Sequence, residues 1–323
     1  YILNRSVELY PNEDSLAKVN TKAMSYEEFN TAVQRMVKVL KKNGIHKGDK
    51  VLLLSENMPN WGVAYFAVTY FGAVIVPVLP EFHPSDVHRI IQHSEVKAAF
   101  VSQKFQPTIE SCEDYDVKFV ISLDDLSMVE ELRDLEYMGE LTKNTNDYKP
   151  QEDDLASLIY TSGTTGNSKG VMLSHKNLVT NALSAYKHIK ITKDDVFLSV
   201  LPLAHTLECT VGLILPILHG SSVYYIEKAP TPSVLMKAFQ SVRPTMMVSV
   251  PLIIEKIYKS KILPSLTGTP FMRFLHSIGF TRKILNKLAG KKLLESFGGK
   301  LRFFGIGGAG LAPYVEQFLI ESK

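Results

Sequence analysis

The sequence predicts an α/β fold of two subdomains, each with a largely parallel sheet flanked by helices, and three observations carry that prediction. Helical and strand periodicities alternate along most of the chain. The strand candidates read as nearly continuous apolar runs, as strands buried on both faces must. A chain of 323 residues with 45% hydrophobic and 21% charged residues can bury a large core and supply more than one subdomain.

The elements follow in order. Ser25 and Glu28 form a capping box, and Phe29, Val33, Met36 and Leu40 recur at helical spacing until Gly44, so residues 25–43 are expected as an amphipathic helix. A strand over 50–55, a helix over 60–71, a strand over 73–78, a helix over 84–93 and a strand over 97–102 come next. The stretch from Pro59 to Pro80 carries no charge and is long enough to cross a bilayer. Gly72 and Pro77 divide it, however, and Glu56 and Glu81 flank it where Lys or Arg would mark a span. A buried helix feeding a central strand explains it better.

Residues 110–154 are acidic and irregular, and Lys143 to Asp154 is almost wholly polar. The expected division is therefore residues 1–150 and 151–323. In the second part, strands are expected near 155–160, 196–200, 222–226, 245–250 and 301–306. Helices are expected over 176–189, 206–218, 232–242, 251–260 and 313–321.

A net charge of +3 gives no argument for nucleic acid. Cys112 and Cys209 lie far apart without companion ligands, so neither a disulfide framework nor a zinc site is suggested, and a reducing, cytoplasmic setting fits. Residues 1–10 include Arg5 and Glu8 and hold no continuous apolar stretch, so no secretory signal is expected there. The chain opens on Tyr1 rather than Met, which is expected to place the natural start elsewhere.

Residues 160 to 170 read Tyr-Thr-Ser-Gly-Thr-Thr-Gly-Asn-Ser-Lys-Gly. Thr161, Ser162, Thr164 and Thr165 supply four hydroxyls, Gly163, Gly166 and Gly170 admit close backbone approach, and Lys169 is the cation. Many short charge-assisted hydrogen bonds on a turn suit a polyphosphate, which points to a nucleotide. The order is not that of a Walker loop, since Lys169 follows Ser168 and precedes Gly170. Apolar runs on both sides give strand, loop, strand. The competing reading is a plain polar surface hairpin.

The string Tyr160 to Gly170 resembles the phosphate-loop signature of the adenylate-forming superfamily, which includes acyl-CoA and aryl-CoA ligases, luciferases and peptide-synthetase adenylation domains. Met24-Ser-Tyr-Glu-Glu-Phe29, Phe71-Gly-Ala-Val-Ile-Val-Pro77, Leu201-Pro-Leu-Ala-His205 and Gly307-Gly-Ala-Gly-Leu311 resemble it in the same order, across nearly the whole chain. Leu201 to Gly212, Val248 to Ile257 and Leu301-Arg-Phe-Phe304 resemble the long-chain fatty acyl-CoA synthetase branch.

This resemblance implies a two-step reaction with ATP, Mg²⁺, CoA and a fatty acid, with transfer to a carrier protein as the alternative. It implies phosphate contacts from Thr161 through Gly166 and Lys169, a carboxylate and acyl site at His205, Val211 and Gly212, and adenine contacts at Gly307, Gly308 and Ala309. On its own His205 would read as a core histidine. Gly310 stands where relatives commonly have Pro. Relatives continue past the position of Lys323 with a metal-binding Glu, a ribose-binding Asp and a mobile catalytic domain. No metal ligand is therefore expected in this chain, and the chain is expected to be an N-terminal portion that is inactive alone, with a nucleotide-binding module lacking turnover as the other alternative.

Residues 256–302 hold eleven Lys or Arg and one acid, Glu295. Ile284, Leu285 and Leu288 fall on one helical face, with Arg282, Lys283 and Lys287 elsewhere. A solvated face, an anionic membrane surface and a contact for the 3'-phosphate of CoA all remain open.

Overall fold

The computed structural model describes residues 1–112, 116–130, 148–161, 169–227 and 230–322. Its first elements are α1 (Ile2–Leu9), β1 (Asp14–Lys18), β2 (Met24–Ser25), α2 (Tyr26–Lys42), β3 (Lys50–Leu54), α3 (Pro59–Tyr70) and β4 (Val74–Val78). There follow α4 (Pro84–Ser94), β5 (Val96–Val101), α5 (Gln106–Glu110), β6 (Phe119–Ser122), β7 (Met128–Glu130), β8 (Leu155–Thr161), β9 (Lys169–Ser174) and α6 (His175–His188). Next come β10 (Val196–Ser199), α7 (Thr206–Cys209), α8 (Leu215–His219), β11 (Ser222–Tyr225), α9 (Pro232–Val242), β12 (Met246–Ser249) and α10 (Pro251–Ile257). The last are α11 (Leu263–Thr267), α12 (Pro270–Ser277), α13 (Gly279–Ser296), β13 (Phe303–Ile306) and α14 (Pro313–Glu321). The expected α/β architecture is the observed one.

These elements form two compact units. The first comprises Tyr1–Ala17, Lys22–Asp194 and Pro202–Ser222, and the second Lys18–Thr21, Asp195–Leu201 and Val223–Lys323. The boundary expected at residue 150 thus falls inside the first unit. The reason is strand pairing: β8 lies parallel to β4, with Ile75 opposite Ser157, and cannot leave that sheet.

The first unit's sheet has the order β7-β6-β5-β3-β4-β8-β9. Its interior pairs are parallel, and both edges are antiparallel, β6 with β7 and β8 with β9. The acidic stretch expected to be irregular therefore contributes two strands, β6 and β7, because Phe119 to Ser122 is apolar enough to extend the sheet beyond β5. One face of β3 and β4 packs Leu52, Leu54 and Val76 against Val87, Ile90 and Ile91 of α4. Residues Val51, Leu53 and Ile75 are equally buried on the other face, which is why these strands carry no polar alternation.

α2 starts at the expected capping box, with Ser25 accepting from Glu28 N and Glu28 Oε2 from Ser25 N at 2.7 Å. It packs on α3, where Phe29 and Phe66 meet edge to face at 5.7 Å. α3 is buried from Trp61 to Thr69. A Cβ on Gly62 would stand 2.7 Å from Leu16 Cδ1, so glycine here lets the Leu16 side chain of β1 pack closely on α3. Among the described residues no helix is long and apolar enough to cross a membrane.

In the second unit β10, β12 and β13 run parallel and adjacent. Their starts are tied together by Asp195, which is buried just before β10. Its Oδ1 accepts from Thr245 Oγ1 at 2.7 Å and from Arg302 Nε at 2.8 Å, and its Oδ2 from Arg302 Nη2 at 2.5 Å. Thr245 and Arg302 precede β12 and β13, so one carboxylate fixes three strand starts. Leu235 and Phe239 of α9, Met247 of β12, Ile254 of α10 and Phe318 of α14 belong to the core this arrangement encloses.

α10 widens into a π turn over Tyr258–Ile262 before Pro264, whose missing N–H cannot continue the regular ladder. α13 is held to α14 through Glu321, which accepts from Arg282 Nη2 at 2.9 Å and Asn286 Nδ2 at 2.7 Å.

Asp195→Ala removes the acceptor shared by Thr245 and Arg302. Since the Arg302 side chain is 45% exposed, the cost expected is about 2 kcal/mol, below the range for fully buried pairs. A lower urea midpoint with unchanged slope would register it. Glu321 gives a pH test: its hydrogen bond from Arg282, with those from Gln317 and Asn286, holds the carboxyl down at about 2, against 4.5 for an unfolded chain. A depressed folded pKa means stability that is full above 4.5 and is lost as pH falls toward 2. The Tm difference between the protein and Glu321→Gln should be largest at neutral pH and shrink below 4.5.

Candidate functional site

The nucleotide-loop candidate rises from the first sheet. β8 enters as a parallel neighbour of β4, so its C-terminal end emerges on the edge where open α/β sheets bind ligands. β9 returns antiparallel, in the register Tyr160 with Gly170 and Thr161 with Lys169. Thr161 and Lys169 therefore face each other at the mouth of the hairpin, both exposed. Ser162, Gly163, Thr164, Thr165 and Gly166 lie outside the described residues.

Two contacts brace that mouth. Tyr160 is buried, and its hydroxyl lies 2.6 Å from His93 Nδ1 on α4, with the rings edge to face. Burial raises the Tyr160 pKa, so the phenol keeps its proton. A Cβ on Gly170 would stand 3.0 Å from Leu158 Cδ1 and 3.4 Å from Tyr160 Cζ. Gly170 thus has a packing reason of its own. Sequence reasoning missed His93; only the fold brings it to Tyr160.

β9 runs directly into α6, whose N-cap Ser174 shares a capping box with Asn177. Asn181 on α6 donates to Thr210 Oγ1 at 3.2 Å, which joins the hairpin's helix to the second group of candidate residues. That group begins at His205. Pro202 O accepts from His205 N at 2.9 Å, and Asn57 Oδ1 accepts from Leu203 N at 2.8 Å, fixing the turn ahead of α7. His205 is the N-cap: its extended backbone ends there, and its Nδ1 accepts from Leu207 N at 3.2 Å. A backbone amide can only donate, so in the neutral ring Nε2 carries the proton. His205 is exposed, which removes the core-histidine reading.

The helix expected over 206–218 is observed as α7, a π turn over Thr210–Ile214, and α8. Pro216 causes the interruption, and Leu215 N donates instead to Thr210 O, five residues back. The carbonyls freed in the last turn find donors: Ser6 Oγ reaches Ile217 O at 2.5 Å, and Arg5 Nη1 reaches Leu218 O at 2.6 Å. Val211 and Gly212 are buried within the π turn, and a Cβ on Gly212 would stand 2.4 Å from Glu208 Oε1. The space beside Gly212 is already filled by that buried carboxylate side chain. Leu213 is fully buried, with Cδ1 3.3 Å from where a Cβ of Gly62 would lie, and belongs to the core. Burial pushes the Cys209 thiol up to about 12, so it is no nucleophile at neutral pH.

Gly307, Gly308 and Ala309 lie in the second unit, directly after β13. Gly307 N donates to Ser249 O at 3.1 Å, at the C-terminal end of the neighbouring β12. Gly308 has φ +86, a conformation that L side chains rarely adopt, and a Cβ there would meet only Val250 Cγ1 at 3.9 Å. Ala312 N is bound by Glu255 Oε1 at 3.1 Å, which fixes the chain before α14. Among the described residues nothing lies within 4 Å of a Cβ built on Gly310.

Among the described residues no group of three or more His, Cys, Asp or Glu is placed to hold a metal ion. The described residues do not make a magnesium site.

Comparison with known proteins agrees with this architecture. The AMP-binding enzyme family matches residues 3–322, and the chain belongs to that family. Long chain acyl-CoA synthetase 6, peroxisomal, of Arabidopsis thaliana is 29% identical over 323 residues, covering 92% of this chain and 46% of that protein. Fatty acyl-CoA synthetase A of Dictyostelium discoideum is 26% identical over 323 residues, covering 92% of this chain and 48% of its own. The chain spans about half the length of the curated relatives it matches. The fold is shared with the N-terminal domain of FACL13 from Mycobacterium tuberculosis, at TM-score 0.74 and 21% identity, covering 99% of this chain and 72% of that one. It is shared equally with O-succinylbenzoate coenzyme A synthetase from Bacillus subtilis, solved with AMP, at TM-score 0.73 and 21% identity, covering 99% and 71%.

The capping role of His205 is testable on stability alone. His205→Ala should cost about 1 kcal/mol through loss of the cap, and His205→Asn, a good cap, should recover most of it. Chemical denaturation of the two variants separates the capping role from any role of Nε2.

Proposed function

We propose that this chain is the ATP-binding and carboxylate-binding part of an AMP-forming long-chain fatty acid-CoA ligase. The observation that carries the reading is the β8–β9 pair, which brings Thr161 and Lys169 together at the C-terminal end of β8, a parallel neighbour of β4, on either side of a hydroxyl-rich and glycine-rich sequence. Relatives named as long chain acyl-CoA synthetases support the choice of acyl substrate.

In the first half-reaction a carboxylate oxygen of the fatty acid attacks the α-phosphorus of ATP. Acyl-adenylate forms and pyrophosphate leaves with the electron pair of the broken P–O bond. The hydroxyls and backbone amides of Thr161 through Gly166 hold the β- and γ-phosphates, and the Lys169 cation stabilises the charge that grows on the leaving pyrophosphate. The Nε2–H of His205 donates to the carboxylate, which needs no general base because it is ionised at neutral pH. Val211 stands beside the acyl chain, the space at Gly212 being taken by the Glu208 side chain, and Gly307, Gly308 and Ala309 offer their backbone to adenine. In the second half-reaction CoA thiolate attacks the acyl carbonyl and AMP leaves. Positioning and charge stabilisation supply most of the catalysis.

Carboxylate-dependent exchange of pyrophosphate into ATP by the full-length protein checks both parts of this reading. Lys169→Ala should lower the exchange by about 10² to 10³, the usual cost of one charge-stabilising donor. Along a series of acids from hexanoate to palmitate, kcat/KM should rise by about fourfold per buried methylene until the site is filled. A flat series would reject the long-chain substrate, and full exchange by the lysine variant would reject the loop.

A further inference from the structure

The second unit carries an apolar surface that nothing in the proposed reaction uses. Phe271 and Phe274 are 67% and 62% exposed on one side of α12, three residues apart. Phe280, at 76%, begins a column with Ile284 and Leu288 at four-residue spacing along α13, and all three are exposed. Single exposed apolar residues are ordinary, but five on two adjoining helices, three of them phenylalanine, form a patch.

The opposite side of α13 explains why this patch faces outward. Asn286, Ala289 and Leu293 are buried, Leu285 packs against the second core, and Arg282 and Asn286 are tied to Glu321 of α14. The sequence grouped Leu285 with Ile284 and Leu288, and Arg282 with Lys283 and Lys287; the structure packs Leu285 on the core and ties Arg282 to Glu321. What remains outside is an apolar column with a second column, Lys283, Lys287 and Lys291, exposed beside it.

Charge decides the partner. Residues 256–302 contain eleven Lys or Arg and one acid, although the whole chain has a net charge of only +3. Two copies of such a surface brought face to face would repel each other. An anionic bilayer offers both complements, acyl carbon for the phenyl rings and lipid phosphates at the depth of the lysine ammonium groups. Among the described residues no helix can cross a membrane, so the contact is in the plane of the surface.

We propose that α12 and α13 dock this protein on anionic phospholipid surfaces, with the phenylalanines seated at the boundary of headgroups and acyl chains. Binding of this kind needs neither ATP nor acyl substrate, so it stands or falls apart from the proposed reaction.

Cosedimentation with vesicles tests it. The protein should pellet with vesicles of phosphatidylcholine and phosphatidylglycerol at about 0.1 M salt, where the Debye length is ~10 Å, and largely release at 1 M. Vesicles of phosphatidylcholine alone should bind weakly. Lys283→Gln, Lys287→Gln and Lys291→Gln combined should lower the partition coefficient by about 10²-fold, at roughly fivefold per charge. Phe271→Ser, Phe274→Ser and Phe280→Ser combined should abolish it. These positions are exposed, and an unchanged Tm confirms that the variants fold. Independently, Phe280→Trp should be quenched by brominated lipids in anionic vesicles, whereas the buried Trp61 should not. Equal binding to neutral vesicles, binding unaffected by the serine variant, or no quenching at position 280 would overturn the proposal. So would self-association lost in the serine variant without any lipid binding, which would assign the patch to a second copy.

Discussion

The constraint on which the first unit rests is that a parallel strand must be covered on both faces. Val51 to Leu54 and Val74 to Val78 meet it by being apolar at every position or nearly so, with α4 on one side and the paired α2 and α3 in the same unit. Parallel strands also carry the chain in one direction, so the connections after them emerge on one edge. That edge is where β8 delivers Thr161, and β9 closes the hairpin on it with Lys169. The second unit obeys the same rule, and Asp195 aligns the starts of its three parallel strands, which in turn sets where Gly307 leaves β13.

The candidate residues after Pro202 show how local backbone chemistry shapes a site. His205 spends Nδ1 on the cap of α7, which leaves a single defined donor at Nε2. Four residues on, Cys209 is buried with its thiol held neutral. Pro216 forces the helix to widen over Thr210–Ile214, and Gly212 within that turn makes room for the Glu208 side chain. A π turn at such a position places side chains off the regular helical spacing, which is a frequent property of functional helices. The cost is limited because Ser6 and Arg5 satisfy the carbonyls of the following turn.

The basic helices of the second unit obey a different balance. The inner side of α13 satisfies the core and the Arg282 to Glu321 pair, and the outer sides of α12 and α13 combine phenyl rings with lysines that have almost no acidic neighbours along the chain. A solvated helix face usually mixes both signs of charge. The imbalance is local, since the chain as a whole is close to neutral.

Much of the fold was legible in order along the sequence. α2 was marked by its capping box, β3, β4 and β5 by apolar runs, and the strand–loop–strand around residues 160–170 by its hydroxyls and glycines. Family membership followed from the same strings. The sequence did not disclose β6 and β7, because short strands in an acidic stretch gain their stability from a neighbouring strand rather than from their own pattern. It placed the unit boundary at residue 150, because a polar stretch looks like a linker until β8 is seen beside β4. The brace of His93 on Tyr160, the packing of Leu285 on the core, the tie of Arg282 to Glu321, and the filling of the space beside Gly212 were also invisible. Periodicity and residue type report what each segment needs to bury; which partner it is buried against is a long-range contact, and only the tertiary structure decides that.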